Sequence, residues 1–543
     1  MFVEDIKNDF YNLLLGSRVL LLVHYDVDAI CTCRIIQGLF KSDNISYTLV
    51  PVGGISELKT AYEENNEEIK FVVMINCGGT IDLVDILQPE EDVIFFVLDA
   101  HKPTDVCNVY SDGQVRLVYK DSEENIPNFD DIFRDDEEED EKEEPESGRE
   151  GLEAIVERRR ERRAWEERRN TLMFNYTQFS YYGKPSACVM VELAWRVSRL
   201  TGAASWPASV SCAAQAALGT RTPAQCLLDS AALATLHNTH PHPSYRISLE
   251  KDLSLPLYRR WSLEAALSHA PTIAPSLRLH ALAGASKLRK LLAYCGIPLQ
   301  QARQSYRSMD VELRHTLLTA IEEAAPKHKL TVPVHTTFLL HRPHCPPLAA
   351  LDVVYAIMGL IEHDTIPRGE GFQLALAALQ AEAAGGEAVR AGAAAAQRAL
   401  QAVARVLHQL LAGKRIHRAG PFSYFVLQEE ASGTFQLLRG TAEAALVSGP
   451  LWLRVAARWA AAGADAAAGR PVLALAPRGR SALLLGVPPH NQHEPRNLFG
   501  AAFEQAASKS GVSVSLDYID TSVITLPDSQ RTQFLDALTA LLA

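Results

Sequence analysis

No C-x-x-C pair occurs in the sequence, and its nine cysteines (31, 33, 77, 107, 188, 212, 226, 295 and 345) are odd in number and scattered. That pattern excludes a disulfide framework and a spaced zinc site, and reads as reduced thiols in an intracellular protein. No stretch of about 18 or more uninterrupted apolar residues is present, so no membrane span is expected. The N-terminus is acidic and lacks a basic-then-apolar leader, which argues against a signal peptide. No fixed-period repeat is found, so a solenoid is not expected. A uniform charge is also missing. Of the net −12, residues 121–146 carry fifteen acids against Arg134 and Lys142, a local −13, leaving the rest at +1. Overall charge therefore says little about nucleic acid, which local basic patches can still touch.

What is present is length and alternation. A chain of 543 residues with 47% apolar content has room for two to four domains. Residues 1–17 read as a leading helix closing at Gly16. The run Val19 to Val23 is fit for a strand buried on both faces, and it delivers Asp26 and Asp28 at its carboxyl end. Open α/β sheets place ligands there. A helix over 29–40, a strand over 45–52, a helix over 56–65 and a strand over 70–76 ending in Asn76 follow. A short helix at 81–87 leads to a fourth strand from Asp92, ending in Asp99 and His101. Strands alternating with helices predict a parallel, doubly wound sheet. Val106–Tyr110 and Gln114–Tyr119, joined by Ser111-Asp-Gly, read as a hairpin finishing it.

The acidic run is expected to be disordered through its heart, since it cannot bury apolar surface. Ser122 and Ser147 flank it as candidate phosphorylation sites. Residues 151–170 alternate Glu with Arg clusters around Trp165 and read as an exposed, salt-bridged helix, with a nucleic-acid groove binder as the rival. Ser186–Leu200 reads as an amphipathic helix. Helical signals at 262–269, 275–295, 299–325 and 348–362 suggest a helical insertion, and 372–411 an Ala-rich helix. The remainder alternates again: strands at 423–428, 435–438, 471–476 and 482–487, a helix at 496–508, a strand pair over 512–526 and a closing helix at 529–543.

Asp26, Asp28, Asn76, Asp99 and His101 share the strand-end position and can converge. Three carboxylates and an imidazole suit one or two Mn²⁺ or Mg²⁺ ions able to activate water and clamp a phosphate. One D-x-D alone is weak evidence, because acids cap many strand ends; the repeated pattern is more specific. The segments His237-Asn-Thr-His-Pro-His and His341-Arg-Pro-His-Cys read as loops without a second ligand pair. Lys414, Arg415 and Arg418 either complement a helix end or grip phosphates between two α/β domains. Cys31 and Cys33 read as packing residues.

These strand ends resemble the DHH phosphoesterase superfamily, typified by the RecJ exonuclease. Asp26 and Asp28 match its first motif, and Asp99 and His101 the outer positions of its Asp-His-His triplet. Asn76 stands where the second motif carries an acid, Ala100 replaces the middle His, and 217–220 resembles the fourth motif without any acid from Ser211 to Leu228. An amide is a weaker ligand for a hard cation and alanine is none. The resemblance therefore implies a site that has lost metal, cofactor and hydrolysis.

One branch is a closer match, the eukaryotic cell division control protein 45 homologues. It is carried by Tyr47-Thr-Leu-Val-Pro-Val, Ile75-Asn-Cys-Gly, Asp85-Ile-Leu-Gln-Pro-Glu-Glu-Asp, Trp165-Glu-Glu-Arg-Arg, Gly420-Pro-Phe-Ser-Tyr and Asn497-Leu-Phe-Gly-Ala-Ala-Phe-Glu. This resemblance implies a RecJ-like two-lobed α/β architecture. It comprises a degenerate DHH-type domain (1–120 and 151–255) interrupted by the acidic loop (121–150), a helical insertion (256–362), an Ala-rich connector (363–414) and a DHHA1-like α/β domain (415–543). It also implies a nuclear, non-catalytic replication factor bridging the MCM helicase ring and the GINS complex. Single-stranded DNA and other replisome proteins such as DNA polymerases would be further contacts. Two rivals remain: a metal-dependent single-strand exonuclease working through Asp26, Asp28, Asp99 and His101, and a pure protein scaffold without DNA contact.

Overall fold

In the computed structural model the described residues are all of the chain except 112, 134–148, 331–332, 382–385, 428–444, 464–468 and 490–494. The expectations of a disordered acidic heart and of a strand at 435–438 lie outside them. Strand β1 (Arg18–His24) carries five consecutive residues, Val19 to Val23, with no exposed surface. Alternation sends Val19, Leu21 and Val23 to one core and Leu20 and Leu22 to another. The strand is thus covered on both faces, as an all-apolar run requires. It lies between β2 (Ser46–Val52) and β3 (Phe71–Ile75), with β4 (Ile94–Leu98) beyond. All of these pair in parallel.

The hairpin expected after β4 is not formed. Val106–Tyr110 is a helix whose first turn is capped by Asp105, which accepts the Cys107 N–H at 2.8 Å. It follows β5 (His101–Lys102) and leads to β6 (Val115–Leu117), which pairs with β4 in parallel. A parallel neighbour needs a crossover rather than a tight turn, and this helix is part of it. The sheet order is β2-β1-β3-β4-β6. It reverses direction between β1 and β3, so Asp26 and Asn76 flank a topological switch point.

Strand β7 (Tyr181–Tyr182) pairs antiparallel with β5, and helices Ser186–Arg196 and Gly202–Leu218 pack over helix Val27–Ser42 on one face of the sheet. Cys31 and Cys33 are buried there, as packing residues. The region beyond is less purely helical than expected. Strand β8 (Arg246–Leu253) pairs along its full length with β9 (Val334–His341), and β10 (Leu348–Ala349) adds a third strand. Between β8 and β9, helices that include the 18-residue Val311–His328 enclose a separate core around Leu263, Leu267, Leu291 and Ile321.

Helix Ala350–Ile361 sits elsewhere. Each of its residues is buried, and it packs against Glu387–Ala412 in the main core. The reason is size. A Cβ on Gly392 would lie 2.4 Å from the Ala356 carbonyl oxygen, and one on Gly359 2.5 Å from that of Gly392. The Ala-rich stretch is therefore a close-packed core helix, preceded by a separate helix at Arg368–Ala378.

The C-terminal sheet runs β11 (His417–Ala419), β12 (Phe422–Val426), β13 (Val472–Arg478), β14 (Ser481–Val487) and β15 (Val523–Pro527). Only β12 and β13 are parallel. Helices Phe499–Ser510 and Arg531–Leu542 pack on one face and Pro450–Gly463 on the other. The expected strand pair over 512–526 reduces to β15 and a single bridge between Ser515 and Thr525. The residues between them turn toward the first sheet instead: Asp517 accepts the Ser56 N–H at 2.6 Å.

Candidate functional site

Asp26 follows β1 as the N-cap of helix Val27–Ser42, its Oδ1 accepting the Ala29 N–H at 2.6 Å. Asp28 sits in that helix's first turn and is buried. Asn76, just past β3, has a φ of 52°, a left-handed conformation that asparagine tolerates better than most residues. Its Nδ2 donates to Asp26 Oδ2 at 3.1 Å and to Asp28 Oδ2 at 2.9 Å. An amide N–H₂ thus stands between two carboxylates, in place of a cation.

Asp28 is further saturated. Its oxygens accept the backbone N–H groups of Ser186 (2.9 Å) and Ala187 (3.1 Å) at the start of helix Ser186–Arg196, and the Ser211 hydroxyl at 2.6 Å. The Asn76 Oδ1 accepts the Ser186 hydroxyl at 2.6 Å and the Ala100 N–H at 3.3 Å. Asp99 accepts the Gly79 N–H at 2.9 Å on Oδ2, and the N–H and Nδ1 of His101 at 2.9 and 2.7 Å on Oδ1.

The structure therefore brings all five strand-end residues to one place, and the charges there are unequal. Burial, with the Asp28 charge added, raises the Asp26 carboxyl; His101 and the N–H donors only partly offset this. Burial would raise Asp99 too, but the charge and hydrogen bonds of His101, with the Gly79 N–H, together hold it below the usual range. His101 is pushed up to about 9 against its own burial, chiefly by Asp99 and then by Asp520 and Asp26. His24, its ring 6.2 Å from that of His101, is lowered to about 4 by burial and by its cationic neighbour.

A divalent cation needs several anionic oxygens free to face it. Asp28 has spent its two oxygens on four donors and Asp99 its two on three, while Asn76 presents N–H rather than carbonyl. These residues do not fit a Mn²⁺ or Mg²⁺ centre. Among the described residues no group of three or more His, Cys, Asp or Glu is placed to hold a metal.

Several participants escaped the sequence reading. Tyr182 pairs with His101 across β7 and β5, and its hydroxyl donates to Asp520 Oδ2 at 2.9 Å. Arg454 pairs with Asp520 and donates to the Tyr182 hydroxyl at 3.2 Å. Asp520 and Arg454 come from far along the chain, so no local pattern announces them. Ser211 opens the acid-free stretch 211–228 but lies outside the 217–220 segment that resembles the fourth motif, so nothing in the sequence singled it out.

A cavity of about 740 Å³ opens beside this cluster, bounded by His101, Tyr182, the loop 218–222, β9 and helix Pro450–Gly463. Lys414, Arg415 and Arg418 are not among its lining residues. They lie exposed at and before the edge strand β11. Of the histidine segments, His237 is not in a loop but buried on helix Pro223–Thr239, against the Ser209 hydroxyl at 2.9 Å. Among the described residues no helix is long and apolar enough to cross a membrane.

Fold and site together define an α/β protein with a parallel first sheet whose strand-end acids are bonded to amides, hydroxyls and backbone N–H groups. The family model described as CDC45 matches residues 19–154, 120–370 and 367–541. The chain belongs to the CDC45 family. It is 36% identical, over an alignment 577 positions long, to the cell division control protein 45 homologue of Homo sapiens, covering all of both chains. It is 27% identical to that of Schizosaccharomyces pombe, over 64% of this chain and 63% of the relative. The crystal structure of CDC45 from Entamoeba histolytica aligns over 99% of both chains with a TM-score of 0.71 at 18% identity. Membership of this family places the chain in DNA replication and the cell cycle.

Proposed function

We propose that the chain is a non-catalytic replication factor that acts in the nucleus, at initiation and in elongation. It holds the MCM helicase ring and the GINS complex together as a working helicase. The observation that carries the non-catalytic part is the closed bonding of Asp28: with four donors on two oxygens, it cannot serve a metal without dismantling two helix contacts. The bridging part rests on family membership along the whole chain. Single-stranded DNA is a further contact, with exposed Lys414, Arg415 and Arg418 as its phosphate ligands and salt-sensitive binding as its signature.

The test pairs two measurements on the purified protein. Calorimetry with Mn²⁺, together with nucleotide release from labelled single-stranded DNA, is expected to show neither binding nor release. Mixing with purified MCM ring and GINS is expected to yield one complex that neither partner forms alone. Metal-dependent release, abolished in Asp26→Ala, would establish an exonuclease instead. Failure to join the ring and GINS would remove the bridging role.

A further inference from the structure

Four helices each bring a buried thiol to one place: Cys31 from Val27–Ser42, Cys188 from Ser186–Arg196, Cys212 from Gly202–Leu218 and Cys226 from Pro223–Thr239. Cys188 lies within electrostatic reach of the other three. One pair is in contact. The Cys188 and Cys212 sulfurs stand 3.4 Å apart across the two helices, with one thiol donating to the other. Both adjoin the bonds that hold Asp28: Cys188 follows Ser186 and Ala187, and Cys212 follows Ser211. Cys212 also lines the 740 Å³ cavity, with Cys226, so a small solute entering there meets its sulfur.

A disulfide holds its sulfurs about 2.05 Å apart, so this pair has about 1.4 Å to close. The link would span 24 positions of chain and remove freedom from the unfolded state. Both thiols are free, and disulfides in reducing compartments are characteristically transient and redox-sensing.

We propose that Cys188 and Cys212 form a reversible disulfide on exposure to hydrogen peroxide, stapling helix Ser186–Arg196 to helix Gly202–Leu218 beside Asp28. The staple is independent of the bridging role, which stands or falls by the partner-mixing test above. Cys212, reached from the cavity, attacks one peroxide oxygen; the O–O bond breaks, and the departing hydroxide takes up the thiol proton as water. The sulfenic acid left on Cys212 is then attacked by the Cys188 sulfur. The S–O bond breaks, the S–S bond forms and a second water leaves. Two thiols give up two electrons in all, and one peroxide is reduced to two waters.

The surroundings set the pace. The bond to Cys188, then burial, raise the Cys212 thiol well above its ordinary range, and Asp229 and Cys226 push the same way. From helix Val27–Ser42 the groups facing the pair are Asp28 and Cys31. Only the thiolate reacts, so formation is slow at neutral pH and is expected to quicken about tenfold for each pH unit from 7 to 9. An exposed thiol such as Cys345 levels off near its ordinary value of about 8.5 instead.

The experiment treats the reduced full chain with hydrogen peroxide, alkylates the remaining thiols after denaturation and maps the peptides by mass spectrometry without reduction. A Cys188–Cys212 linked pair is expected, about 2 Da lighter than the two thiols and released by dithiothreitol. It is expected to form also in Cys226→Ser and Cys345→Ser, and to be lost in Cys188→Ser. The oxidised chain is expected to unfold at higher urea than the reduced one. Should Cys188→Ser fail to fold, the wild-type map and its pH series decide alone. Separate alkylation of Cys188 and Cys212, a link from Cys212 to Cys226, a rate that levels off near pH 8.5 or an unchanged urea midpoint would overturn the staple.

Discussion

Asn76→Asp places a third carboxylate beside Asp26 and Asp28, and the structure says that this gain of a ligand type is a loss of stability. The amide gives up two bonds to carboxylates, at 3.1 Å to Asp26 and 2.9 Å to Asp28. At about 1.5–3 kcal/mol for each bond to a charged group, the loss is roughly 3–6 kcal/mol. The acceptor role toward Ser186 and Ala100 survives, because the new side chain keeps an oxygen there. A third carboxylate beside Asp26 and Asp28 is raised above its unfolded value by burial and like charge. A raised carboxyl destabilises wherever its unfolded counterpart is ionised, above pH about 4. The deficit is therefore largest near neutral pH and shrinks as pH falls toward 5. Urea unfolding followed by tryptophan fluorescence, with hydrogen exchange of the β1 amides as the local probe, measures it. A variant within about 1 kcal/mol of wild type, less than one such bond is worth, or a deficit that grows on acidification, would refute the reasoning.

Ser211→Ala removes one donor to Asp28 and is expected to cost about 1.5–3 kcal/mol. Asp28→Ala, which strands four donors, should cost more than Ser211→Ala in the same urea titration. Because the folded pKa of His101 is raised to about 9 from an ordinary 6.5, its protonation stabilises fully below pH about 6.5, and this contribution fades as pH rises through 9. His101→Gln is expected to flatten that alkaline slope, and an unchanged slope would assign it to other groups. Gly392→Val, forced against the Ala356 carbonyl, is expected to destabilise by about 1–3 kcal/mol or more by thermal unfolding, with Gly413→Ala as a milder comparison.

The first sheet was legible because its strands obey a local rule: an apolar run such as Val19–Val23 has no face left for water, and helices must cover both sides. Val106–Tyr110 misled because a Ser-Asp-Gly turn after an apolar segment resembles a hairpin. The decisive group was the Asp105 carboxylate, one residue upstream. The Ala-rich stretch offered no strong local signal of burial. Its closeness to helix Ala350–Ile361 shows only once both helices are in place.

By itself the sequence determined which residues stand at the strand ends and which acids are missing, since these depend on position within β1, β3 and β4. What Asp28 and Asn76 do was decided by the tertiary structure alone. Ser186 and Ser211, more than a hundred residues away, occupy the oxygens that a metal would need. Arg454 and Asp520 arrive from the far end of the chain to complete the cluster around Tyr182. Hydrogen bonds act at about 3 Å regardless of separation along the chain, so only the packed fold shows which donors meet which acceptors.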